Sequence, residues 1–325
     1  MSRTGRGAGA PGRPRLNDLT GREWIRFTRS WFIGRPPPRS PKERAHPAKF
    51  PEALAEEFVR FFTRRGEWVL DPFAGTGTTL VAARRLGRPS LGVELNPEFV
   101  RLSTERLGEE LPRSATPAEV VHGDARRVEA LWRARKVPAA GLVLTSPPYW
   151  DMLRQGRGGV RSVHRRRAEA GLATRYSADP YDLGNLAEYD QFLDELVPIL
   201  RSAGTLLAPG KYLVVVLQNL RDPQGKYRAL AWDIARRLDA GALEFQGERI
   251  WCQDSKPLGI WGFPVTFVPN IHHHYCLIFR RAPDPATGAT STAPTRGGAV
   301  SRSRGRTRRA SRRPPTGGAA RSARR

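Results

Sequence analysis

From Pro51 to Arg281 the chain alternates two apolar patterns. Stretches with apolar residues at helical spacing separate short runs that are apolar almost throughout. "FPEALAEEFVRFFTRR" puts Leu54, Phe58 and Phe61 on one face behind Pro51, which suits a helix start. "EWVLD" then reads as a short buried strand, followed by a Gly-rich turn and "TLVAARRLG", a helix closed by Gly87. "SLGVEL" is the next strand. Asn96 and Pro97 supply a cap and a first-turn proline for the helix "PEFVRLSTERL". "AEVVHGDA" and "GLVLT" predict two more strands. "EYDQFLDELVPIL" is helical in period as far as Pro198, "KYLVVVLQNL" predicts a core strand, and "RALAWDIARRLDAG" a further helix. "LEFQGERIW" and "YCLIFRR" are the last candidate strands. This alternation predicts an α/β domain, a mainly parallel sheet with helices on both faces.

The two ends lack the pattern. Residues 1–15 are rich in Gly, Pro and Arg, and residues 282–325 repeat Arg, Ser, Gly, Ala and Pro with almost nothing to bury. A disordered basic arm and a disordered Arg-rich tail are expected on either side of a domain over 16–281. The formal net charge is +24; the tail holds +10 of it, from 11 Arg against one Asp, leaving +14 for residues 1–281. A domain this basic favours a polyanionic partner such as nucleic acid, although an Arg-rich composition spread over solvated faces gives the same count. With only two cysteines, Cys252 and Cys276, no disulfide scaffold is implied and a reducing cytoplasm suits the chain. No apolar run approaches a membrane span, and "MSRTGRGAGAPGRPR" has no apolar signal core. A soluble cytoplasmic protein without membrane contact is the expectation.

The chemistry gathers where strands end. "VLDPFAGTGTT" lies between a strand and a helix, the place of a Gly-rich ligand loop, and Gly75 and Gly77 let backbone turn tightly against a bound molecule. A dinucleotide fingerprint wants a third Gly, where Leu80 stands, and no Gly-Lys-Ser/Thr follows for a P-loop. Glu94 ends the second strand, 23 positions after Asp71, near the spacing at which an acid meets ribose hydroxyls. Asp124, in "HGDA", adds a carboxylate at the same edge. Two acids and a Gly turn suit an adenosine ligand bearing a cationic group, a description that fits S-adenosylmethionine. "LTSPPYW" (144–150) stops the fourth strand with a Pro-Pro step that no sheet ladder continues.

Taken together, these loops resemble those of the DNA amino-methyltransferases, which modify N4 of cytosine or N6 of adenine. "HPAKFPEALAEEFV", with Lys49 and Phe50, resembles the family's segment before the cofactor loop. "DPFAGTGTT", with Asp71, Pro72, Phe73, Gly75, Gly77 and Thr78, resembles the cofactor loop itself. "GVELNPEF" resembles the segment with the ribose-binding acid, here Glu94, and "GDA" the one with the adenine-side acid, Asp124. "TSPPYW" resembles the catalytic loop, with Ser146, Pro147, Pro148 and Tyr149. The likeness covers about residues 16–281. It implies a Rossmann-like class I methyltransferase fold with a seven-stranded sheet and an antiparallel last strand. It also implies S-adenosylmethionine as cofactor, double-stranded DNA with a flipped target base as substrate, and room for a cognate restriction nuclease as partner. Only about twenty residues separate Asp124 from Thr145, too few for a target-recognition domain there.

The amine on a base is a poor nucleophile because its lone pair is delocalised into the ring. Acceptors around its N–H bonds draw the nitrogen toward an attacking geometry, and a Pro-Pro segment holds such acceptors rigidly. Ser146 Oγ and the Pro147 carbonyl are the expected acceptors, and Tyr149 the ring that stacks on an extruded base, a contact worth roughly 1–3 kcal/mol. Within the family a Ser before Pro-Pro-Tyr leans toward cytosine N4. Adenine N6, an RNA base, and a nucleic-acid-binding module without catalysis are the alternatives. Trp150 is a second wall or a core residue, with core favoured. Arg154 to Arg175 carries seven Arg, and Arg154, Arg157, Arg161, Arg165, Arg166 and Arg167 are the candidate DNA contacts. "FTRSWF" and "WGFP" line DNA or pack in the core. Cys276 reads as a buried small residue, and three consecutive histidines, 272–274, point in different directions, so no metal is expected.

Overall fold

The structure, a computed structural model, describes residues 15–34, 50–110, 116–150, 169, 177, 179–222 and 224–283. The basic arm up to residue 14, Lys49, the six candidate DNA-contact arginines and the tail from residue 284 lie outside the described residues.

Parallel pairing with intervening helices is what the alternating pattern requires, and the chain delivers it. After α1 (Gly21–Phe27) and β1 (Trp31–Ile33) come α2 (Glu52–Phe62), β2 (Val69–Asp71), α3 (Thr78–Arg85), β3 (Ser90–Glu94), α4 (Pro97–Glu110) and β4 (Ala118–His122). Then follow α5 (Val128–Arg133), β5 (Ala140–Thr145), α6 (Tyr189–Thr205), β6 (Leu207–Leu217), a small hairpin of β7 (Leu220–Arg221) and β8 (Tyr227–Arg228), α7 (Leu230–Leu238), β9 (Leu243–Cys252) and β10 (His273–Arg281). The large sheet has the order β1-β9-β10-β6-β5-β2-β3-β4. β10 runs antiparallel to both neighbours, β6 and β9, and the other pairings are parallel.

The α/β, Rossmann-like architecture and the antiparallel last strand agree with expectation. The strand number does not: among the described residues the sheet has eight strands rather than seven. The addition is β1, which pairs parallel to β9 with Trp31 opposite Ile250, and Ile250 N donates to the Ser30 carbonyl at 2.7 Å. A three-residue edge strand with Trp31 and Ile33 exposed carries too little alternation to be read in advance.

Pro198 also departs from expectation, since α6 runs through it to Thr205. Proline forfeits one helical hydrogen bond, but Pro198 and Asp194, whose carbonyl loses its partner, both lie on the exposed face where water replaces it. Beyond the proline, Ile199, Leu200 and Ala203 remain buried, and that packing holds the last turns.

Successive strand residues divide between two cores. Leu70, Val143, Leu213 and Val215 face α6 and α7, whereas Val69, Leu142, Leu144 and Val214 face α2 and α3. Each fully buried Leu or Phe contributes about 1.5–3 kcal/mol, and Phe58, Phe61 and Phe62 of α2 anchor the second core, where Phe27 of α1 stacks on Phe61 at 3.7 Å. "FTRSWF" is mixed: Phe27 is core, Phe32 half-buried and Trp31 exposed. In "WGFP", Phe263 is exposed, so that segment is not core.

Candidate active site

The strand order decides which side chains meet. β2 lies between β5 and β3, and β4 flanks β3, so the carboxyl ends of four parallel strands stand side by side. The strand order reverses beside β2, where open α/β sheets form their ligand cleft. Asp71, Glu94, Asp124 and Ser146 all line one cleft at this edge.

Backbone amides and carboxylates shape its floor. Asp71 is buried; its Oδ1 accepts from Phe73 N at 3.0 Å and from Thr145 Oγ1 at 2.6 Å. Glu94 uses both oxygens, accepting from Gly75 N at 2.7 Å and from Asn96 N at 2.8 Å. Burial pushes the Asp71 carboxyl up to about 6 and that of Glu94 up to about 7, against the hydrogen bonds that favour their charged forms. Gly77, at φ 79°, caps α3 and passes so close to α4 that a Cβ there would fall on Ser103 Oγ. Only a glycine meets both conditions.

Pro72, Phe73, Gly75 and Thr78 also line the cleft, and Phe50 closes one wall. Gly77 shapes the turn without facing the cleft. Asp124 is less free than its sequence position implies. It accepts from Arg126 N at 2.9 Å and pairs with the Arg126 guanidinium at 3.1 Å, while Arg126 Nε reaches Glu195 at 2.8 Å.

In the Ser-Pro-Pro-Tyr loop, Ser146 and Pro148 line the cleft, and Pro147 and Tyr149 lie beneath it. Tyr149 is buried, and its hydroxyl, not an open ring face, reaches Ser146 Oγ at 3.0 Å and the Val216 carbonyl at 3.2 Å. Trp150 packs in the core, T-shaped against Tyr189, with Nε1 donating to the Leu186 carbonyl at 3.1 Å. Its φ of 46° turns the chain sharply after the Pro-Pro-Tyr step. His274 stacks on Trp251 at 4.7 Å and lies 6.1 Å from the Tyr149 ring; burial holds its imidazole down near 3, hence neutral. Cys276 is fully buried in β10.

Sequence reasoning missed Arg126, Tyr181 and Asp182 as cleft residues. Asp182 is buried with its carboxyl raised by burial, and it caps a 3-10 turn through Gly184 N at 2.9 Å. The only signal was "DPYDLGN", a turn-rich segment with Asp at a capping place. Among the described residues no group of three or more His, Cys, Asp or Glu is placed to hold a metal ion. No described helix is long and apolar enough to cross a membrane.

Comparison with known proteins points the same way. A family model described as "DNA methylase" matches residues 18–105, from α1 through most of α4. The chain is 42% identical over 62 residues to Type II methyltransferase M2.DpnII of Streptococcus pneumoniae, covering 19% of this chain and 23% of that protein. It is 36% identical over 93 residues to Type II methyltransferase M.BglI of Bacillus subtilis, covering 28% and 26%. Over 71 residues it is 44% identical to M.MthZI of Methanothermobacter thermautotrophicus, covering 22% and 20%. The matched part thus spans about a quarter of the length of these relatives. Among solved structures, TrmN from Thermus thermophilus aligns over 74% of this chain and 52% of its own, at 16% identity and a TM-score of 0.43. Over the part of the chain they match, the family model and these curated relatives support the DNA amino-methyltransferase family.

Proposed function

We propose that the protein transfers a methyl group from S-adenosylmethionine to the exocyclic N4 amine of a cytosine in double-stranded DNA. The observation that carries this reading is the hydrogen bond from Thr145 to Asp71. It joins the Gly-rich loop to the Ser-Pro-Pro-Tyr loop, so one cleft has a ligand cradle on one side and an acceptor for an amine on the other.

The cleft fits the cofactor by its donor set. Its walls include the apolar Phe50, Phe73, Val93 and Phe99, and its charged groups are mostly carboxylates. Arg126 is the one Lys or Arg lining it among the described residues, and its guanidinium is engaged by Asp124 and Glu195. Such a site disfavours a pyrophosphate and favours ribose hydroxyls, an adenine amine and positive charge. Glu94 would hold the ribose, Asp124 the adenine side, and the turn at Gly75 the remainder. When bound, the cofactor supplies an electrophilic methyl group on a sulfonium that leaves without metal help.

Ser146 Oγ, which lines the cleft, accepts an N–H bond of the amine and orients its lone pair into the cleft. The Pro-Pro step, with Pro147 buried beneath the cleft, keeps this acceptor fixed, so little reorganisation is needed as the nitrogen pyramidalises. A base in a duplex must leave the stack to arrive there, at a cost of a few kcal/mol. The Arg-rich segment 154–175 follows the catalytic loop and supplies phosphate contacts that help hold the opened duplex. Serine at the first position of the loop supports cytosine over adenine.

The test is direct. The full chain is incubated with methyl-labelled S-adenosylmethionine and unmethylated duplex DNA, and the digested nucleosides are analysed by mass spectrometry. Labelled N4-methylcytosine is expected. Labelled N6-methyladenine would overturn the choice of base, label in RNA alone would overturn the choice of substrate, and no label anywhere would overturn the catalytic reading.

A further inference from the structure

We propose that Tyr149 is a positioning residue whose hydroxyl fixes Ser146 as an acceptor toward the cleft, so that the site admits the amino edge of a base and rejects a carbonyl edge. The amino-selection half rests on the methyltransferase reading above; the proton direction rests on the hydrogen-bond geometry and on a phenol that keeps its proton.

The geometry is a chain of three oxygens, Ser146 Oγ, Tyr149 Oη and the Val216 carbonyl, spaced at 3.0 and 3.2 Å. The carbonyl oxygen can only accept. A phenol has one proton, and burial holds the Tyr149 hydroxyl well above its ordinary pKa, so the proton stays on. That proton therefore lies between Tyr149 and Val216. Any other placement sets two oxygen lone pairs against each other in a buried site, with no proton between them. The remaining contact then has one solution: Ser146 donates its hydroxyl proton to Tyr149.

Once that proton is committed, Ser146 has only lone pairs left for the cleft it lines. An N–H of cytosine N4 or adenine N6 meets a ready acceptor. The O4 of thymine or uracil, or the O6 of guanine, meets lone pairs and is repelled. An isolated serine gives no such selection, because its hydroxyl rotates to donate or accept as required. The parts that hold Tyr149 in place belong to the fold. Val216 is fully buried in β6, next to β5, and the loop is pinned beyond Tyr149 by the Trp150 indole on the Leu186 carbonyl. Selection between amino and carbonyl bases is thus set one residue away from the group that touches the base.

Tyr149→Phe tests this with the ring, and hence any stacking, retained. At a target site located by sequencing modified bases, duplexes carrying cytosine or uracil at that position are compared for equilibrium binding. Wild type is expected to prefer cytosine by about tenfold or more, the worth of one hydrogen bond against a repulsive contact, and Tyr149→Phe to fall toward parity. An unchanged preference in Tyr149→Phe would overturn the selection. A second measurement needs no turnover. The tyrosine Fermi doublet in the Raman spectrum distinguishes a phenol that donates and accepts from one that only donates, and wild type minus Tyr149→Phe isolates Tyr149. The wild-type signal is expected to be that of a donor–acceptor, becoming donor-only in Ser146→Ala. A signal that does not change in Ser146→Ala would overturn the proton direction. If the wild type transfers no methyl group, the functional reading fails and this spectroscopic result still decides the hydrogen-bond chain.

Discussion

Thr145 Oγ1 donates to Asp71 Oδ1 at 2.6 Å, across 74 residues of sequence, and both side chains are buried. One ends β5 and the other ends β2, adjacent strands, so a single hydrogen bond sets the Ser-Pro-Pro-Tyr loop against the Gly-rich loop. Thr145→Val keeps the shape and deletes the donor. Asp71 would retain Phe73 N but lose its shortest partner, and a buried carboxylate with a missing bond costs roughly 1–3 kcal/mol. Urea denaturation should show a loss of this size, and Thr145→Ser should recover most of it. Equal stability of Thr145→Val and wild type would mean that the bond does not tie the two loops.

The same carboxylates make stability depend on pH. Asp71 is raised from 3.8 to about 6 and Glu94 from 4.5 to about 7, in both cases chiefly by burial. Between about pH 4 and pH 7 the folded protein keeps protons that the unfolded chain has released. The contribution of these two groups is therefore greatest below about pH 4 and declines as pH rises to 7. His274, held near 3, acts in the opposite sense between about pH 3 and pH 6.5, so the informative quantity is the difference between variants. In Asp71→Asn and Glu94→Gln the fall in stability from pH 5 to pH 7.5 should be smaller than in wild type. Denaturation midpoints across that range provide the measurement, and a parallel decline in all three proteins would refute the assignment.

Gly77→Ala should be costly for two separate reasons. Its φ of 79° strains any residue with a Cβ by about 1–2 kcal/mol, and the new methyl group would strike Ser103 Oγ on α4. A combined loss of about 2–4 kcal/mol is expected in thermal or urea unfolding. Adding Ser103→Gly removes the clash and leaves the backbone strain, so the double variant should recover part of the loss. No recovery would place the entire cost in the backbone.

What could be read from the sequence, and what could not, follows from the range of the forces involved. Asn96 accepts from Glu98 N at 2.9 Å as the cap of α4, and Gly87 takes a positive φ just past α3. Both are local backbone requirements, and residue type announces them. The apolar face of α2 was equally plain, because periodicity and burial are two aspects of one pattern. The Asp71–Thr145 bond, the parallel pairing of Trp31 with Ile250, and the reach of Tyr149 to Val216 join distant segments. No local pattern encodes them. The sequence places Tyr149 in the Ser-Pro-Pro-Tyr loop, but only the packed strands show that its hydroxyl points down into β6 and that its ring is covered.

Glu94 combines two tasks, and one substitution can separate them. In the proposed function its carboxylate would attract a cation and accept ribose hydroxyls; as a double acceptor it holds Gly75 N and Asn96 N in place. Glutamine removes the charge and has only one accepting oxygen. Its NH2 group would have to face one of the two amides, so the Gly-rich turn would shift as well. If charge were the main role, Glu94→Gln would weaken S-adenosylmethionine and leave S-adenosylhomocysteine, which lacks the sulfonium charge, nearly unaffected. Because the turn depends on both oxygens, both ligands should bind more weakly by about tenfold or more, the worth of one hydrogen bond to a charged group. Titration calorimetry of wild type and Glu94→Gln with the two ligands at pH 8, where the wild-type carboxyl is ionised, makes the comparison. A loss confined to the cationic ligand would show that the amide contacts are incidental and that Glu94 acts by charge alone.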